Sequence, residues 1–315
     1  MPKTIRNKYY KKLSYEKLME AHIKSRKGKS IRKETILFNL KQEEYIMWLY
    51  EQLKNKTYKH GGYTEFYVTE PKLRKIEKSR YIDRIVHRWV VDNFLEPAFV
   101  PQFIPTSYAC LKEKGMHRAA LYVQSTMKHC KRIWGEYYIL KMDVAKYFDN
   151  INKNILLEIL KRKIKDKELL WLINQILFAQ KREKGLEIGN YTSQMFANIY
   201  LNEVDQFIKH KLRIKYYCRY LDDSAPRTYI QVAWATWIYN NCIDDGSRST
   251  ENAIQVEFSN HSKVLYSKGM VLSVGEKATQ VVRWVLRRWM SKWTTYESIE
   301  KYRFHQNQGV VVNLG

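Results

Sequence analysis

The chain has 315 residues, of which 45% are hydrophobic and 14% aromatic, so it is long enough to bury a large core in one multi-lobed globule or two domains. Its 56 lysines and arginines outnumber its 32 acidic residues, and the formal net charge of +24 makes a polyphosphate the expected partner. The first residues lack the apolar core of a signal peptide, and no stretch is long enough to span a bilayer, which argues against secretion and predicts a cytoplasmic protein with no membrane partner. The four cysteines show no CxxC spacing, so neither a zinc site nor a disulfide framework is indicated.

The N-terminal region, residues 1–60, is strongly basic and carries apolar residues at helical spacing, first near residues 13–22 and again over residues 37–53. Between these two predicted helices, residues 24–33 are predicted to form an exposed basic linker that can lie along a phosphate backbone. The candidate nucleic-acid contacts in this linker are Lys24, Arg26 and Lys27.

A β-hairpin is predicted next, with a first strand over residues 64–69 followed by the basic segment 70–76. Lys72 and Arg74 lie at its tip, and side chains of this kind clamp triphosphates. A solvated hairpin tip that binds nothing explains the same pattern, and both interpretations stay open. An amphipathic helix follows over residues 81–95 and is predicted to stop at the Glu96-Pro97 pair.

Two aromatic, β-branched stretches far apart in the chain each end in acidic residues. Residues 137–143 end at Asp143, residues 214–221 lead into Asp222 and Asp223, and both stretches are predicted strands. An idle polar turn is the simpler explanation of the Asp222-Asp223 pair taken alone. Two strands that each deliver a carboxylate can, however, converge on a pair of divalent cations, the usual device for phosphoryl transfer. These three aspartates are therefore the candidate catalytic set.

Between the two acidic stretches the sequence predicts two helices, over residues 152–163 and 167–178. A glycine-bearing loop, residues 185–194, then leads into an apolar helix predicted over residues 195–208. A loop with glycine and small polar residues at a helix N-terminus can approach a nucleotide or a template closely.

Taken in order, the blocks from about residue 66 to residue 223 resemble the fingers and palm of a reverse transcriptase. The sequence Tyr-Leu-Asp-Asp at residues 220–223 resembles the Tyr-x-Asp-Asp box of that family. Asp143, with Phe148 five residues later, resembles the family's first metal-binding motif. Either motif alone is a weak signal, whereas both in this order and at the ends of predicted strands are specific.

The glycine-bearing loop narrows the resemblance to one group. Residues 188–194 read Ile-Gly-Asn-Tyr-Thr-Ser-Gln, which is similar to the Ile/Val/Leu-Gly-x-x-x-Ser-Gln form of diversity-generating retroelement reverse transcriptases. Most other reverse transcriptases carry Gln-Gly-x-x-x-Ser-Pro there. Further blocks that resemble the same group are residues 70–74, 107–110 and 196–200.

The resemblance implies an α+β, right-hand polymerase with fingers, an antiparallel palm sheet backed by helices, and a mainly helical, atypical thumb. We expect a basic N-terminal helical region at residues 1–60, a fingers and palm catalytic domain at residues 61–225, and the rest of the palm with a divergent thumb-like region at residues 226–315. The implied activity is RNA-templated DNA synthesis with poor fidelity opposite template adenines. The implied partners are a template RNA with its cDNA or primer, dNTPs, and a basic accessory protein that assembles as a ring.

The resemblance also implies a cofactor, two Mg²⁺ ions. Asp143 and Asp222 are expected to hold them, with support from Asp223 and from the main chain of Val144. Tyr220, next to this set, is expected to contact nucleic acid, and the same is expected of two basic residues in the thumb-like region, Arg287 and Arg288.

The nucleotide pocket implied by the resemblance has three parts. Lys72 and Arg74 hold the triphosphate, and Phe148 blocks a ribose 2′-OH and so excludes ribonucleotides. The residues expected beside the template-side base pair are Ile188, Gly189 and Gln194. Since isoleucine lacks the hydrogen-bonding group that glutamine would offer at position 188, looser selection of the incoming nucleotide is expected.

The sequence departs from the family pattern after Asp223, where Pro226 removes a hydrogen-bond donor from an expected central strand. Leu111 also stands where family members often carry arginine. Two other interpretations stay open: another bacterial reverse transcriptase of the phage-defence or intron type, and an RNA-binding palm protein that the divergent tail has impaired in catalysis. The Ser193-Gln194 ending of the loop argues against the intron type.

Overall fold

The computed structural model describes residues 4–69, 73–134, 139–140, 144, 146–220 and 237–238. In these residues the fold is α+β, with helices and two antiparallel sheets of two strands each. The chain divides into two compact units, and each is built from two separate stretches of sequence. The first unit comprises residues 1–103 and 148–201, and the second comprises residues 104–147 and 202–315. Over the described part of the chain, every helix is too short or too polar to cross a bilayer.

The first unit begins with four helices: α1 (Tyr9–Lys12), α2 (Tyr15–Arg26), α3 (Lys33–Leu40) and α4 (Gln42–Lys54). The single helix predicted over residues 37–53 is therefore wrong, because Lys41 leaves helical geometry with φ −133° and ψ 33°. Apolar periodicity does not reveal this break, since Phe38, Ile46 and Leu49 would also share one side of an unbroken helix. The predicted linker is shorter than expected as well, because α2 continues through Arg26.

The predicted hairpin is confirmed and consists of β1 (Tyr63–Val68) and β2 (Arg74–Ser79). The two strands pair antiparallel with Phe66 opposite Ile76. Most of β1 is exposed, whereas β2 buries the side chains of Glu77 and Ser79. The hairpin is therefore held to the rest of the first unit through β2.

The long helix after the hairpin does not stop where the sequence predicts. Helix α5 (Tyr81–Val90) continues through a π-helical turn (Val91–Leu95) into α6 (Glu96–Phe99) and a 3₁₀ turn (Val100–Gln102). Pro97 lies in the first turn of α6, directly after the π-helical turn, where the regular i→i−4 hydrogen bonding is already interrupted. This is why the proline is tolerated here and why the predicted stop is wrong.

The remaining elements follow in chain order. They are α7 (Met116–Trp134), β3 (Ile139–Leu140), α8 (Tyr147–Asn150), α9 (Lys153–Lys163), α10 (Lys167–Leu177), α11 (Tyr191–Gln206), a π-helical turn (Phe207–Lys211) and β4 (Trp237–Ile238). The predicted helices near α9 and α10 are confirmed, and the side chains of Asn152 and Asp166 cap their N-termini. Strands β3 and β4 pair antiparallel, with Ile139 opposite Ile238.

The strand predicted over residues 214–221 is not formed in its described part, residues 214–220. A strand exists only through its ladder partners, and over this stretch a single parallel bridge joins Arg219 to Ser107. Of the other predicted strand, residues 137–143, the described residues 139 and 140 form β3.

A buried histidine, His87, lies next to the half-buried His60 in the first unit. The Nε2 atoms of His60 and His87 are 3.1 Å apart, and His87 Nδ1 lies 3.0 Å from the Thr192 hydroxyl. Because His60 Nδ1 accepts the Gly62 N–H, a neutral His60 carries its proton on Nε2 and donates it to His87. Burial lowers the pKa of both side chains, and that of His87 lies well below its usual value.

These lowered pKa values predict that acid destabilises the first unit. An unfolded histidine titrates near 6.5, so below that pH the unfolded chain binds protons that the folded chain does not. The free energy of unfolding should stay level above about pH 7 and fall as the pH drops below 6.5, by up to about 1.4 kcal/mol per pH unit for each histidine. Urea unfolding at several pH values measures this slope.

The matched variants for the pH experiment are His87→Gln and His117→Gln. Removing the buried His87 should flatten the slope below about pH 6.5, whereas removing the exposed His117 should leave it unchanged. An equal slope in both variants would contradict the assignment.

Candidate active site

Most residues predicted to hold the two metal ions lie outside the described part of the chain. They are the three carboxylates Asp143, Asp222 and Asp223. The predicted triphosphate contact Lys72 and the predicted nucleic-acid contacts Arg287 and Arg288 also lie outside the described residues. Val144 is described and is half-buried. Among the described residues, no three histidine, cysteine, aspartate or glutamate side chains are grouped closely enough to hold a metal ion. The metal site therefore remains a prediction.

The chain that leads into the Asp222-Asp223 pair is anchored at Arg219, in the second unit. Its N–H donates to the carbonyl of Thr106 at 3.0 Å, and its carbonyl accepts the N–H of Tyr108 at 2.9 Å. Tyr220, the next residue, is half-buried and packs against a small core of Tyr108, Ala119 and Cys218. The main chain is thus fixed three residues before Asp222.

The side chain of Arg219 forms a buried ion pair with Asp205. Its Nε lies 2.9 and 3.0 Å from the two carboxylate oxygens, and its Nη2 lies 2.7 Å from Oδ2 and 3.2 Å from the Ser107 hydroxyl. The Tyr217 hydroxyl donates to the same carboxylate at 2.7 Å. Burial acts to lower the pKa of Arg219, but the adjacent carboxylate raises it, so the pair stays charged.

The glycine-bearing loop packs on β2 in the first unit. The carbonyl of Ile188 accepts the N–H of Glu77 at 3.0 Å. Gly189 has φ +111°, and a Cβ atom there would lie 2.9 Å from Cγ2 of Ile76. Glycine is required on both counts, since the backbone is left-handed and the strand is too close for a side chain. Ile188 and Gly189 are thereby held on the strand that begins with Arg74.

The same loop also contacts α8 and the residue that follows it. The N–H of Leu186 donates to the carbonyl of Phe148 at 2.8 Å, and the N–H of Gly185 donates to the carbonyl of Ile151 at 2.9 Å. The side chain of Phe148, the predicted ribonucleotide filter, is buried. The structure therefore connects Phe148, Ile188 and β2 through one loop within the first unit.

Three other predicted site residues have different surroundings from those expected. Gln194 lies in the first turn of α11 and not in the loop, and it is half-buried. Lys24 and Arg26 belong to the last turn of α2, whereas Lys27 follows the helix and is exposed. The Lys24 ammonium lies 2.8 Å from the Asp92 carboxylate, so its charge is partly neutralised.

A buried polar network that sequence reasoning missed surrounds the loop. Glu77 binds Arg182 at 2.6 Å and Gln180 at 3.0 Å, and Glu187 binds the fully buried Lys153 at 3.0 Å. Burial acts to raise the pKa of Glu77, but the bonds from Arg182 and Gln180 outweigh it, and the pKa is lowered. No sequence signal marks these partners, because Glu77 and Arg182 are 105 positions apart.

The Arg219–Asp205 pair yields a stability prediction. Arg219→Met leaves the Asp205 carboxylate buried without its cation, which should lower the free energy of unfolding by about 3–5 kcal/mol. A second change, Asp205→Leu, made in the same chain should restore much of that loss because it removes the orphaned charge. Chemical denaturation measures both effects, and Arg132→Met, at an exposed site on α7, serves as the control. A loss at Arg219 no larger than that of the control would contradict the buried pair.

Comparison with known proteins finds relatives that match only part of this chain and part of their own length. Protein YkfC of Escherichia coli K12 is 27% identical over 187 residues, which are 57% of this chain and 44% of that protein. The group II intron-encoded protein LtrA of Lactococcus lactis subsp. cremoris is 27% identical over 186 residues, 55% of this chain and 30% of that protein. The chain thus spans less than half the length of these curated relatives.

Among solved structures, a chain of a partial Cas6-RT-Cas1–Cas2 complex aligns with 67% of this chain and 36% of its own length, at 17% identity and a TM-score of 0.37. The family model for reverse transcriptase (RNA-dependent DNA polymerase) matches residues 59–225, more than half of the sequence. The matched range includes β1 and β2, the glycine-bearing loop and all three predicted catalytic aspartates. The chain therefore belongs to the reverse transcriptase family.

Proposed function

We propose that this chain is the RNA-directed DNA polymerase of a diversity-generating retroelement, acting in the cytoplasm and making error-prone cDNA from a template RNA. The observation that carries the proposal is the family match over residues 59–225, which contains Asp143, Asp222 and Asp223 in the expected order. The form of the loop at residues 188–194 supports the retroelement subtype. The proposed architecture is a right hand of fingers, palm and atypical thumb, with a basic, ring-forming accessory protein as a partner.

The proposed catalytic groups are suited to Mg²⁺. Three carboxylates and the main-chain carbonyl of Val144 are hard oxygen donors, which magnesium prefers over nitrogen or sulfur ligands. When bound, two such ions supply charge stabilisation to the attacking and leaving oxygens of an in-line displacement. Asp143 and Asp222 would hold the two ions, and Asp223 would support them. The anchored Arg219 limits how far the chain before Asp222 can move.

The proposed nucleotide pocket is formed by residues of the first unit and by the hairpin tip. Lys72 and Arg74 neutralise the triphosphate, and Phe148 excludes a ribose 2′-OH. Arg74 is the first residue of β2, and the same strand holds Ile188 and Gly189 through the Glu77 N–H. One strand thus links the proposed triphosphate clamp to the loop proposed to lie beside the template-side base pair.

A second candidate, an intron-type reverse transcriptase, is favoured by the similarity to LtrA, which is a group II intron-encoded protein. The Ser193-Gln194 ending of the motif at residues 188–194 argues against the intron type. A pair of variable and template repeats beside the coding sequence would support the retroelement, whereas flanking intron RNA domains would support the intron.

The proposed chemistry is tested by primer extension on a primed RNA with dNTPs and Mg²⁺. The wild-type chain should extend the primer, and Asp222→Asn or Asp223→Asn should lower the rate at least about 100-fold, since a metal site supplies several kcal/mol of stabilisation. Asp149→Asn, at an exposed position, is the matched control and should keep the wild-type rate. A wild-type chain that binds the primed RNA tightly but never extends it would support an RNA-binding role without catalysis.

The proposed infidelity is tested by Ile188→Gln. Glutamine restores a hydrogen-bonding group worth roughly 1 kcal/mol of discrimination, so misincorporation opposite template adenine should fall by roughly fivefold or more. Sequencing of the cDNA measures the error spectrum, with Ile36→Gln, on the exposed side of α3, as the control. An unchanged spectrum in Ile188→Gln would rule out this role for Ile188.

A further inference from the structure

Asn190 lies between β2 and the glycine-bearing loop, and no role follows for it from the motif. Its side chain is buried, with 2% of its surface exposed. The Nδ2 group donates to the carbonyl of Glu77 at 2.9 Å and to the carbonyl of Glu187 at 3.2 Å. The Oδ1 atom accepts the N–H of Ser79 at 3.2 Å. One amide therefore serves three main-chain groups, two on the strand and one on the loop.

The asparagine side chain has the hydrogen-bond donor, the acceptor and the length that this position requires. Aspartate would accept from Ser79 but could not donate to the carbonyls of Glu77 and Glu187. Alanine would leave all three buried main-chain groups without this partner, and an unsatisfied buried group is strongly unfavourable. The contact between the loop and β2 thus depends on the hydrogen bonds of the Asn190 amide and not on the volume of its side chain.

The two residues whose carbonyls Asn190 binds are also held by their side chains. Glu77 and Glu187 each contact Arg182, at 2.6 and 3.4 Å, and Glu187 also contacts Lys153 at 3.0 Å. Two buried negative charges are thus balanced by two positive ones. The strand and the loop are joined by main-chain bonds at Asn190 and by ion pairs around Arg182.

The glycine-bearing loop packs tightly against β2. The Ile188 carbonyl is bound to the Glu77 N–H, and Gly189 is so close to Ile76 that an added Cβ would lie 2.9 Å from its Cγ2 atom. Ile188 and Gly189 lie between Glu187 and Asn190, so both ends of this short segment are tied to β2 or its ion pairs. A displacement of Asn190 would therefore also displace Ile188 and Gly189.

We propose that Asn190 is a positioning residue for nucleotide selection, acting through Ile188 and Gly189, which its amide locks in register with β2. This inference rests on the proposed function, since Ile188 and Gly189 are assigned to the nascent base-pair pocket there. A residue with a structural role alone would lower stability and the amount of active protein. A positioning residue also changes the affinity for the incoming dNTP and the error spectrum of the protein that remains folded.

The test compares the full chain with Asn190→Ala and Asn190→Asp in steady-state primer extension with saturating primed RNA. We expect KM for dNTP to rise about tenfold in each variant, with kcat within about threefold of the wild type, because the lost contacts orient the bound nucleotide. Misincorporation should rise by roughly threefold to tenfold in the same enzymes. Thermal unfolding of each preparation reports the folded fraction.

Asn174→Ala is the matched control. Asn174 also donates its Nδ2 group to a main-chain carbonyl, that of Leu170 at 3.0 Å, but it lies within α10. This variant should keep the wild-type KM and error spectrum. Should the Asn190 variants fail to fold, Arg182→Met loosens the same join from its partly exposed side, and its KM for dNTP should rise about threefold.

The experiment distinguishes a failure of the positioning role of Asn190 from a failure of the proposed polymerase function. If the wild-type chain extends primers and both Asn190→Ala and Arg182→Met keep its KM and error spectrum, the positioning role is overturned and the proposed function stands. A rise in KM in Asn174→Ala equal to that in Asn190→Ala would also overturn it, since any lost amide bond would then suffice. A wild-type chain that extends nothing overturns the proposed function and this inference with it.

Discussion

A charge that leaves water must meet an opposite charge or become neutral, and this constraint decides how the interior of each unit is built. In the first unit Lys153 is fully buried against Glu187, and Arg182 reaches both Glu187 and Glu77. In the second unit Arg219 is buried against Asp205. In a chain with an excess of 24 positive charges, the fully buried Lys153 and Arg219 are each paired with a carboxylate.

In each unit, the buried ion pairs lie beside residues predicted to belong to the active site. The pair in the second unit lies next to the residues that lead into the predicted catalytic aspartates, and the pairs in the first unit surround the glycine-bearing loop. Buried ion pairs contribute little net stability, but they tolerate few alternative arrangements, because separating one partner leaves an uncompensated charge. They therefore suit positions where a main chain has to be held in one place.

Features of the fold that depend on neighbouring residues could be predicted from the sequence, whereas features that depend on residues far apart in the chain could not. The hairpin of β1 and β2 and the helices α9 and α10 follow from local periodicity and from the capping residues Asn152 and Asp166. The break at Lys41 and the continuation through Pro97 were missed, because apolar spacing does not report single-residue backbone geometry.

The contacts around the loop were missed for a different reason. Glu77 and Arg182 look like ordinary charged residues, and only the fold brings them together. Asn190 stands inside a recognised motif, yet its role becomes visible only when its three main-chain partners are known. The gathering of Asp143, Asp222 and Asp223 remains a prediction from motif order, since these residues lie outside the described part of the chain.

The discontinuity of the two units has a consequence for biosynthesis. Ser79 and Asn190, which are bonded in the finished first unit, are 111 positions apart, and the intervening sequence includes residues 104–147 of the other unit. A ribosome adding about 5–20 residues per second needs roughly 5–20 s to deliver the second partner after the first. During that interval the buried edge of the hairpin emerges without its complement, so the nascent polypeptide is exposed to misassembly and to chaperone capture until the later segment arrives.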